Sequence, residues 1–185
     1  MPGSMAINAI ITVMRSTMEL ARVRSCTSTP NAKPLTLEMM LKIKQLKLPM
    51  PAAIGVGTPM ADATKVGDSF HANEGVDNVL VSRDGFCDAA TIVYAHGHDL
   101  KDPLISPIYG DMHGFPPAIL TTGTRDLLLS NTVRVHRKLR AAGIVADLHV
   151  YEGQSHAHYL RDDTAPETAE AFNEIAAFFR THLAA

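Results

Sequence analysis

The 185-residue sequence contains little cysteine, no tryptophan, almost no net charge and no long hydrophobic run. Its two cysteines, Cys26 and Cys87, show neither a metal-binding spacing nor a disulfide framework, so we expect two buried thiols rather than a disulfide. The formal net charge of −2 provides no basic surface for nucleic acid or an anionic membrane, so we expect neither as a partner. No apolar run approaches the roughly 18 residues that a membrane span needs.

The N-terminal segment differs from the rest of the chain. Residues 1–34 are rich in Met, Arg, Ser and Thr and show no sustained hydrophobic period, so we expect an atypical segment that is disordered or displaced. Its apolar stretch, 6–14, is not preceded by a basic residue, unlike a secretory signal, and we therefore expect a cytoplasmic protein. The chain as a whole has the length and composition of one soluble domain, and residues 35–185 form its regular part.

Regular patterns begin at Leu35, where apolar residues recur first at helical and then at strand-like spacing. In chain order they predict a helix over 35–47, a buried strand over 52–56, a polar loop over 61–78, a helix running from Arg83 towards Tyr94 with Ser82 as its cap, and an irregular stretch over 95–117.

The C-terminal third has the clearest periodicity. It predicts a strand over 117–126, a helix over 132–143, a strand over 144–153 and a helix over 165–183, whose apolar stripe contains Phe172, Ile175, Ala176, Phe179 and Leu183. Strands that alternate with helices in this way form parallel sheets covered by helices. The fold class is therefore predicted to be α/β.

Two polar residues follow consecutive predicted strands. Asp126 comes just after the strand over 117–126, and His156 comes just after the strand over 144–153. Because sites in open parallel sheets form beyond the carboxyl ends of the strands, these side chains can converge. An aspartate bonded to one imidazole nitrogen prepares the other nitrogen to accept a proton. The alternative, in which Asp126 only caps a helix and His156 is a solvated loop residue, stays open at this point.

Several longer segments of the sequence resemble a known protein family. The segments DPLISPIYGDMHGFPPAILTTGTRDLL (102–128), HRKLRAAGI (136–144) and VYEGQSHA (150–157), together with 35–62, are similar to hormone-sensitive-lipase-like carboxylesterases and acetyl-ester hydrolases of the α/β-hydrolase superfamily. The resemblance implies a partial α/β-hydrolase fold, with a mostly parallel sheet and flanking helices. It also implies that Asp126 is the triad acid and His156 the triad base, that the substrate is a small ester, and that neither cofactor nor metal is needed.

The nucleophile of that family is not matched. The sequence contains neither the G-x-S-x-G elbow nor the HGGG oxyanion loop. Aligning backwards from Leu35 places Pro30 at the nucleophile position, and proline has neither a hydroxyl nor an N–H group. We therefore expect little or no esterase activity from this chain alone. A fragment or reading-frame error that replaces 1–34 is the favoured origin, and a diverged relative is the alternative.

Other side chains offer weaker candidates for a nucleophile or a metal site. Ser28 and Thr29 lie near the elbow but out of register, Cys26 is more typical of a small packed residue, and Ser69 in GDSF lacks the D-x-x-H partner of that esterase family. Four residues in the 95–117 stretch raise the question of a metal: His96, His98, Asp99 and His113. Because the stretch is rich in Gly and Pro, we expect a solvated loop and no metal site.

Two hypotheses of different classes follow from the sequence. In the first, the chain is the C-terminal part of a serine carboxylesterase. In the second, it is a non-catalytic α/β binding or oligomerisation module, in which an unpaired strand edge at 52–56 seeks a partner. A homodimer through the helix over 165–183 and the strand over 144–151 is expected from the resemblance. We also expect His136 and His149 to pack or face solvent and His182 to be exposed.

Overall fold

The computed structural model describes residues 36–160 and 164–183. The segment 1–34, with the candidate residues Cys26, Ser28, Thr29 and Pro30, lies outside this part of the chain. The described helices are α1 (Thr36–Gln45), α2 (Ser69–Ala72), α3 (Asp88–Ala95), α4 (Leu129–Ala141) and α5 (Pro166–Leu183). The described strands are β1 (Ile54–Gly57), β2 (Ala118–Gly123) and β3 (Ala146–Tyr151).

The three strands form one parallel sheet in the order β1-β2-β3. Ala118 of β2 is in register with Ile54 of β1 and with Ala146 of β3, so the three carboxyl ends meet at one edge. All six residues of the central strand β2 are buried, which explains why its sequence is an uninterrupted run rather than an alternating one. The predicted α/β architecture is confirmed.

Helices cover both faces of the sheet, and β2 contributes to a core on each. Ala118 and Leu120 pack in the cluster that includes Leu37 of α1 and Val135 of α4. Ile119, which points the other way because strand side chains alternate, packs with Phe179 of α5. Helices packed on both faces of the sheet fix the position of the strand ends, where the candidate site lies. Among the described helices, none combines the length and apolarity of a membrane crossing.

In the middle of the chain, the structure differs from the prediction at two elements. The stretch 61–78 contains a short helix, α2, in addition to loop. Ser82 does accept a hydrogen bond from the Asp84 amide at 3.0 Å, but the helix it was expected to start is interrupted at once. Gly85 has a φ of +140°, a conformation open mainly to glycine, so regular α-helix begins only at Asp88.

The apolar stripe of α5 differs in part from the prediction. Phe172 is 39% exposed, whereas Ala171 and Phe178 are buried. Phe178 and Phe179 pack with Ile119 of the sheet, and Ile175 and Leu183 of the predicted stripe pack beside them. The stripe is therefore confirmed in part, and Phe172 lies outside the contact. His182, expected to be exposed, is half-buried, with its ring centroid 4.4 Å from that of Phe178. On the opposite side of the sheet, Ile54 and Val56 of β1 are buried, so the side chains of the predicted strand edge are covered.

Candidate catalytic site at the strand ends

Asp126 lies in a tight turn immediately after β2. Its amide donates to the Gly123 carbonyl at 3.1 Å, which turns the chain back and directs the side chain inward. The carboxylate is fully buried and accepts two hydrogen bonds of 2.8 Å, one from the Leu128 amide and one from the Thr122 hydroxyl. These donors hold a buried charge that would be very unfavourable without them, and they fix its orientation.

His156 lies on the loop after β3 and meets this carboxylate. Its Nδ1 is 3.2 Å from Asp126 Oδ1, and 16% of its side chain is exposed. Gly123 makes this approach feasible, because a Cβ added there would lie 2.0 Å from the backbone oxygen of Gln154. The Arg125 amide in turn donates to that oxygen at 3.1 Å, which joins the two loops. The loop after β3 therefore packs directly on the end of β2.

This arrangement supports one kind of chemistry. A carboxylate that accepts from Nδ1–H selects the imidazole tautomer whose Nε2 has a free lone pair. The Nε2 atom can then take a proton from a hydroxyl group and return it to a leaving group. The interpretation of Asp126 as only a helix cap is incomplete, since the same carboxylate contacts both the start of the helical turn and His156.

A second buried carboxylate, which the sequence analysis missed, lies beneath the pair. Asp77 is fully buried, and its Oδ2 accepts from the Leu127 amide at 2.8 Å. Its Oδ1 lies 3.4 Å from the His156 amide. Asp77 falls in the polar stretch 61–78, where neither hydrophobic period nor motif marks any single residue. Only its position in three dimensions shows that it contacts both loops.

Tyr159, also missed, closes the site from the side of β1. Its ring is buried, and a Cβ added to Gly57 would lie 2.1 Å from its hydroxyl oxygen. Burial raises the pKa of Tyr159, and the negative charge of Asp126 raises it further, so the phenol stays neutral at physiological pH. Gly57 and Gly123 thus both end a strand where a side chain would collide with the segment that carries His156.

Two serines near the site have structural contacts instead of free hydroxyl groups. Ser155 is buried, and its Oγ accepts from the Asn78 amide at 3.2 Å. Ser69 of the GDSF stretch is buried as well, and its hydroxyl donates to the Leu127 carbonyl at 2.8 Å. Both hydroxyl groups therefore hold loops together and do not face an open surface.

Five histidines outside the pair are exposed or have contacts of their own. His96 and His98 are exposed, and His113 pairs with Asp111 at 2.5 Å on the surface. His136 contacts the Ala146 carbonyl through Nε2 at 3.2 Å, and His149 pairs with a glutamate of α5. Within 36–160 and 164–183, no three His, Cys, Asp or Glu side chains converge into a group that could hold a metal ion.

The family follows from a sequence profile as well as from the fold. The profile of the alpha/beta hydrolase fold family matches residues 34–160, more than half of the chain. The chain belongs to the α/β-hydrolase fold family. The match includes both strands that precede Asp126 and His156, and the predicted resemblance to hormone-sensitive-lipase-like esterases is confirmed.

Curated relatives of this α/β-hydrolase chain are named as ester hydrolases. An esterase from Acinetobacter venetianus is 27% identical over 146 residues, which make up 78% of this chain and 47% of the relative. An acetyl-hydrolase from Streptomyces hygroscopicus is 25% identical over 147 residues, 80% of this chain and 48% of the relative. The chain thus spans about half the length of the curated relatives it matches.

Solved structures show the same correspondence. The crystal structure of esterase E25 has a TM-score of 0.78 and 55% sequence identity, and the match covers 80% of this chain and 45% of that one. An esterase from the bacterial hormone-sensitive lipase family has a TM-score of 0.73 at 27% identity, covering 79% of this chain and 48% of that one. The partial α/β-hydrolase fold expected from the sequence is therefore confirmed.

Proposed function

We propose that this chain carries the acid and the base of a serine-type carboxylesterase that acts on short-chain esters. One observation carries the proposal: Nδ1 of His156 lies 3.2 Å from an oxygen of the fully buried Asp126. The names of the relatives, esterase and acetyl-hydrolase, support the same reaction class and do not favour the non-catalytic alternative.

In the proposed reaction, Asp126 orients His156 and stabilises its protonated form. His156 Nε2 takes the proton of a serine hydroxyl while the serine oxygen attacks the ester carbonyl carbon. The protonated imidazole then gives this proton to the departing alcohol, which leaves an acyl-serine. In the second half, the same Nε2 takes a proton from a water molecule while the water oxygen attacks the acyl carbon. The protonated imidazole then returns this proton to the serine oxygen as the acyl–serine bond breaks, which releases the carboxylic acid. Every transferred proton passes through His156 Nε2, so the reaction depends above all on the orientation of this nitrogen.

The serine itself is not identified in this chain, because the sequence contains no G-x-S-x-G. Loss of the nucleophile alone lowers turnover in a serine hydrolase by on the order of 10⁶. We therefore expect the chain alone to hydrolyse p-nitrophenyl acetate at close to the background rate.

The test supplies the missing nucleophile. Residues 34–185 are joined to the nucleophile-bearing part of a related esterase, and hydrolysis of p-nitrophenyl acetate is followed by absorbance. We expect turnover, and we expect His156→Ala to lower kcat by roughly 10⁴-fold or more. The matched control is His149→Ala, an imidazole that also pairs with a carboxylate but lies away from the strand ends. A folded graft without activity, or one that is insensitive to His156→Ala, would contradict the proposal.

We also propose that two copies of the chain associate through β3 and α5. Val145, Val150 and Phe172 are exposed along these elements, and β3 is the last strand of the described sheet. Apolar side chains beside a free strand edge favour self-association. Sedimentation equilibrium at high protein concentration tests this directly, and a strictly monomeric chain would refute it.

A further inference from the structure

One short segment, 73–80, contacts both loops of the candidate site. The Asn73 side-chain amide donates to the Thr124 carbonyl at 3.1 Å and to the Asp126 carbonyl at 2.8 Å. The Asn78 amide donates to Ser155 Oγ at 3.2 Å, next to His156. The segment therefore holds the turn that carries the acid and the loop that carries the base.

Asp77 is the most buried polar residue of this segment. Its Oδ1 accepts from the amides of Val79 at 2.9 Å and Leu80 at 3.2 Å, which anchors the carboxylate to its own turn. Its remaining contacts reach outward, to the Leu127 amide at 2.8 Å and the His156 amide at 3.4 Å. One rigidly held carboxylate thus bonds the residue after the acid and the base itself.

We propose that Asp77 is a positioning residue, which sets the separation of Asp126 and His156 by accepting a backbone N–H group from each of their loops. This inference rests on the proposed function of the pair. Both outward contacts are to backbone groups, so Asp77 acts through the two residues and not on the substrate. The bond between Asp126 and His156 is long, at 3.2 Å, and a further increase of about 0.5 Å would abolish it. Small displacements of this kind are sufficient to disable a catalytic pair.

Asp62 provides a matched control. It is also a fully buried aspartate, and it follows β1 at the same edge of the sheet. Its carboxylate contacts the Thr64 hydroxyl at 2.5 Å, the Tyr109 hydroxyl at 3.1 Å and Arg134 Nη1 at 2.8 Å. None of these partners belongs to the turn after β2 or the loop after β3. Replacement of Asp62 therefore reports the general effect of losing a buried carboxylate.

The experiment follows the Nδ1 proton of His156 in the ¹⁵N-labelled full chain by NMR. In the unsubstituted chain we expect a downfield Nδ1–H signal, because the proton is hydrogen-bonded to a carboxylate. Asp77→Asn keeps the size of the side chain but cannot accept at both oxygens, so we expect the proton to exchange with water at least tenfold faster. Circular dichroism first establishes that Asp62→Asn is folded to the same extent. In this variant the exchange rate of the Nδ1 proton should stay within twofold of the rate in the unsubstituted chain.

Asp126→Asn separates failure of this inference from failure of the proposed function. If Asp126→Asn leaves the Nδ1–H signal unchanged, the pair does not form in solution, and both proposals are wrong. If Asp126→Asn removes the signal while Asp77→Asn leaves its exchange within twofold, only the role of Asp77 is wrong. Equal acceleration by Asp62→Asn and Asp77→Asn would also overturn that role, since it would reflect general loosening.

Loss of a buried acceptor can unfold the chain, so two further measurements complete the test. Asp77→Glu keeps the charge but displaces the carboxylate by one methylene, and it should accelerate exchange as Asp77→Asn does. In the same variant, the amide protons of Leu127 and His156 should both exchange faster than in the unsubstituted chain, because both amides donate to this carboxylate. Unchanged exchange of either amide proton, or of the Nδ1 proton, in Asp77→Glu overturns the inference.

Discussion

Two of the three imidazole–carboxylate pairs in the described part of the chain join the same kinds of group in very different surroundings. Asp126 and His156 meet at the strand ends, where the aspartate is fully buried and accepts two further hydrogen bonds. His149 of β3 and Glu174 of α5 form the outer pair, on the face of the sheet that α5 covers, with 27% and 35% of their side chains exposed. The outer contact is the shorter, at 2.7 Å against 3.2 Å.

The shorter contact is nevertheless the less constrained one. Water competes for both partners of an exposed pair, and their side chains keep rotational freedom, so such pairs contribute little to stability. The buried aspartate has no access to water, and its donors would lose their only acceptor if it were removed. Burial and the surrounding donors, more than distance, therefore distinguish the candidate catalytic pair.

The largest effect is expected from Asp126→Ala. The substitution leaves the Leu128 amide and the Thr122 hydroxyl without their acceptor inside the protein. At about 1–3 kcal/mol for each such group, we expect the free energy of unfolding to fall by on the order of 4 kcal/mol. Urea-induced unfolding measures this. A loss below about 1 kcal/mol would show that water reaches the site and that the contrast with the outer pair is wrong.

Glu38 of α1 sharpens the comparison as a buried carboxylate in less favourable surroundings. Burial raises its pKa from 4.5 to about 8, and a hydrogen bond from its own backbone offsets part of the rise. Between these two pH values the folded chain holds a proton that the unfolded chain has released. The contribution of Glu38 to stability is therefore fully present below pH 4.5 and is lost as the pH rises through about 8.

The test of this carboxylate is Glu38→Gln. The neutral amide should raise the free energy of unfolding at pH 8 by on the order of 3 kcal/mol and have little effect near pH 4. Urea unfolding of both proteins across this range gives the difference, which cancels the titration of other groups. A difference that does not change with pH would contradict the prediction.

Gly123→Ala should disrupt the contact between the end of β2 and the loop that carries His156, without removing any charge. The new Cβ would lie 2.0 Å from the Gln154 backbone oxygen, so the loop with His156 must move away from β2. We expect a loss of about 2 kcal/mol in stability and loss of the hydrogen-bonded Nδ1–H signal of His156. Gly143→Ala is the control: its φ is +77° but no atom lies within 4 Å, so it should cost about 1 kcal/mol and preserve the signal.

Glu174→Ala should have the smallest effect. It removes the acceptor of His149 and of the Tyr151 hydroxyl, both of which remain close to solvent. We expect a decrease of less than about 1 kcal/mol in the free energy of unfolding, reduced further by added salt. A decrease comparable to that of Asp126→Ala would remove the distinction between the two pairs.

Several elements could be predicted because their burial follows a simple period. The helix expected over 35–47 is present as α1, and the strands expected over 117–126 and 144–153 are present as β2 and β3. Helix α4 begins three residues before the predicted start. The convergence of Asp126 and His156 followed from a general property of parallel sheets, in which consecutive strands end at the same edge.

The sequence-based predictions fail in segments that have no hydrophobic period. Asp77 and Asn73 occur in turns and Tyr159 in a single 3-10 turn, and their contacts at the site are with residues about 50 or more positions away along the chain. The interruption at Gly85 depends on a local backbone conformation, and the exposure of Phe172 depends on how α5 is rotated against the sheet. None of these features alters the hydrophobic pattern.

The order of residues alone determines that the chain alternates strands with helices, that the strands are parallel, and that an aspartate and a histidine follow two of them. These properties are local, because each depends on which side chains favour burial within a few residues. Tertiary structure decides how far apart Asp126 and His156 lie, which donors surround them, and that Asp77 bonds both loops. Such contacts join segments distant in sequence, and packing of the whole sheet sets their distances.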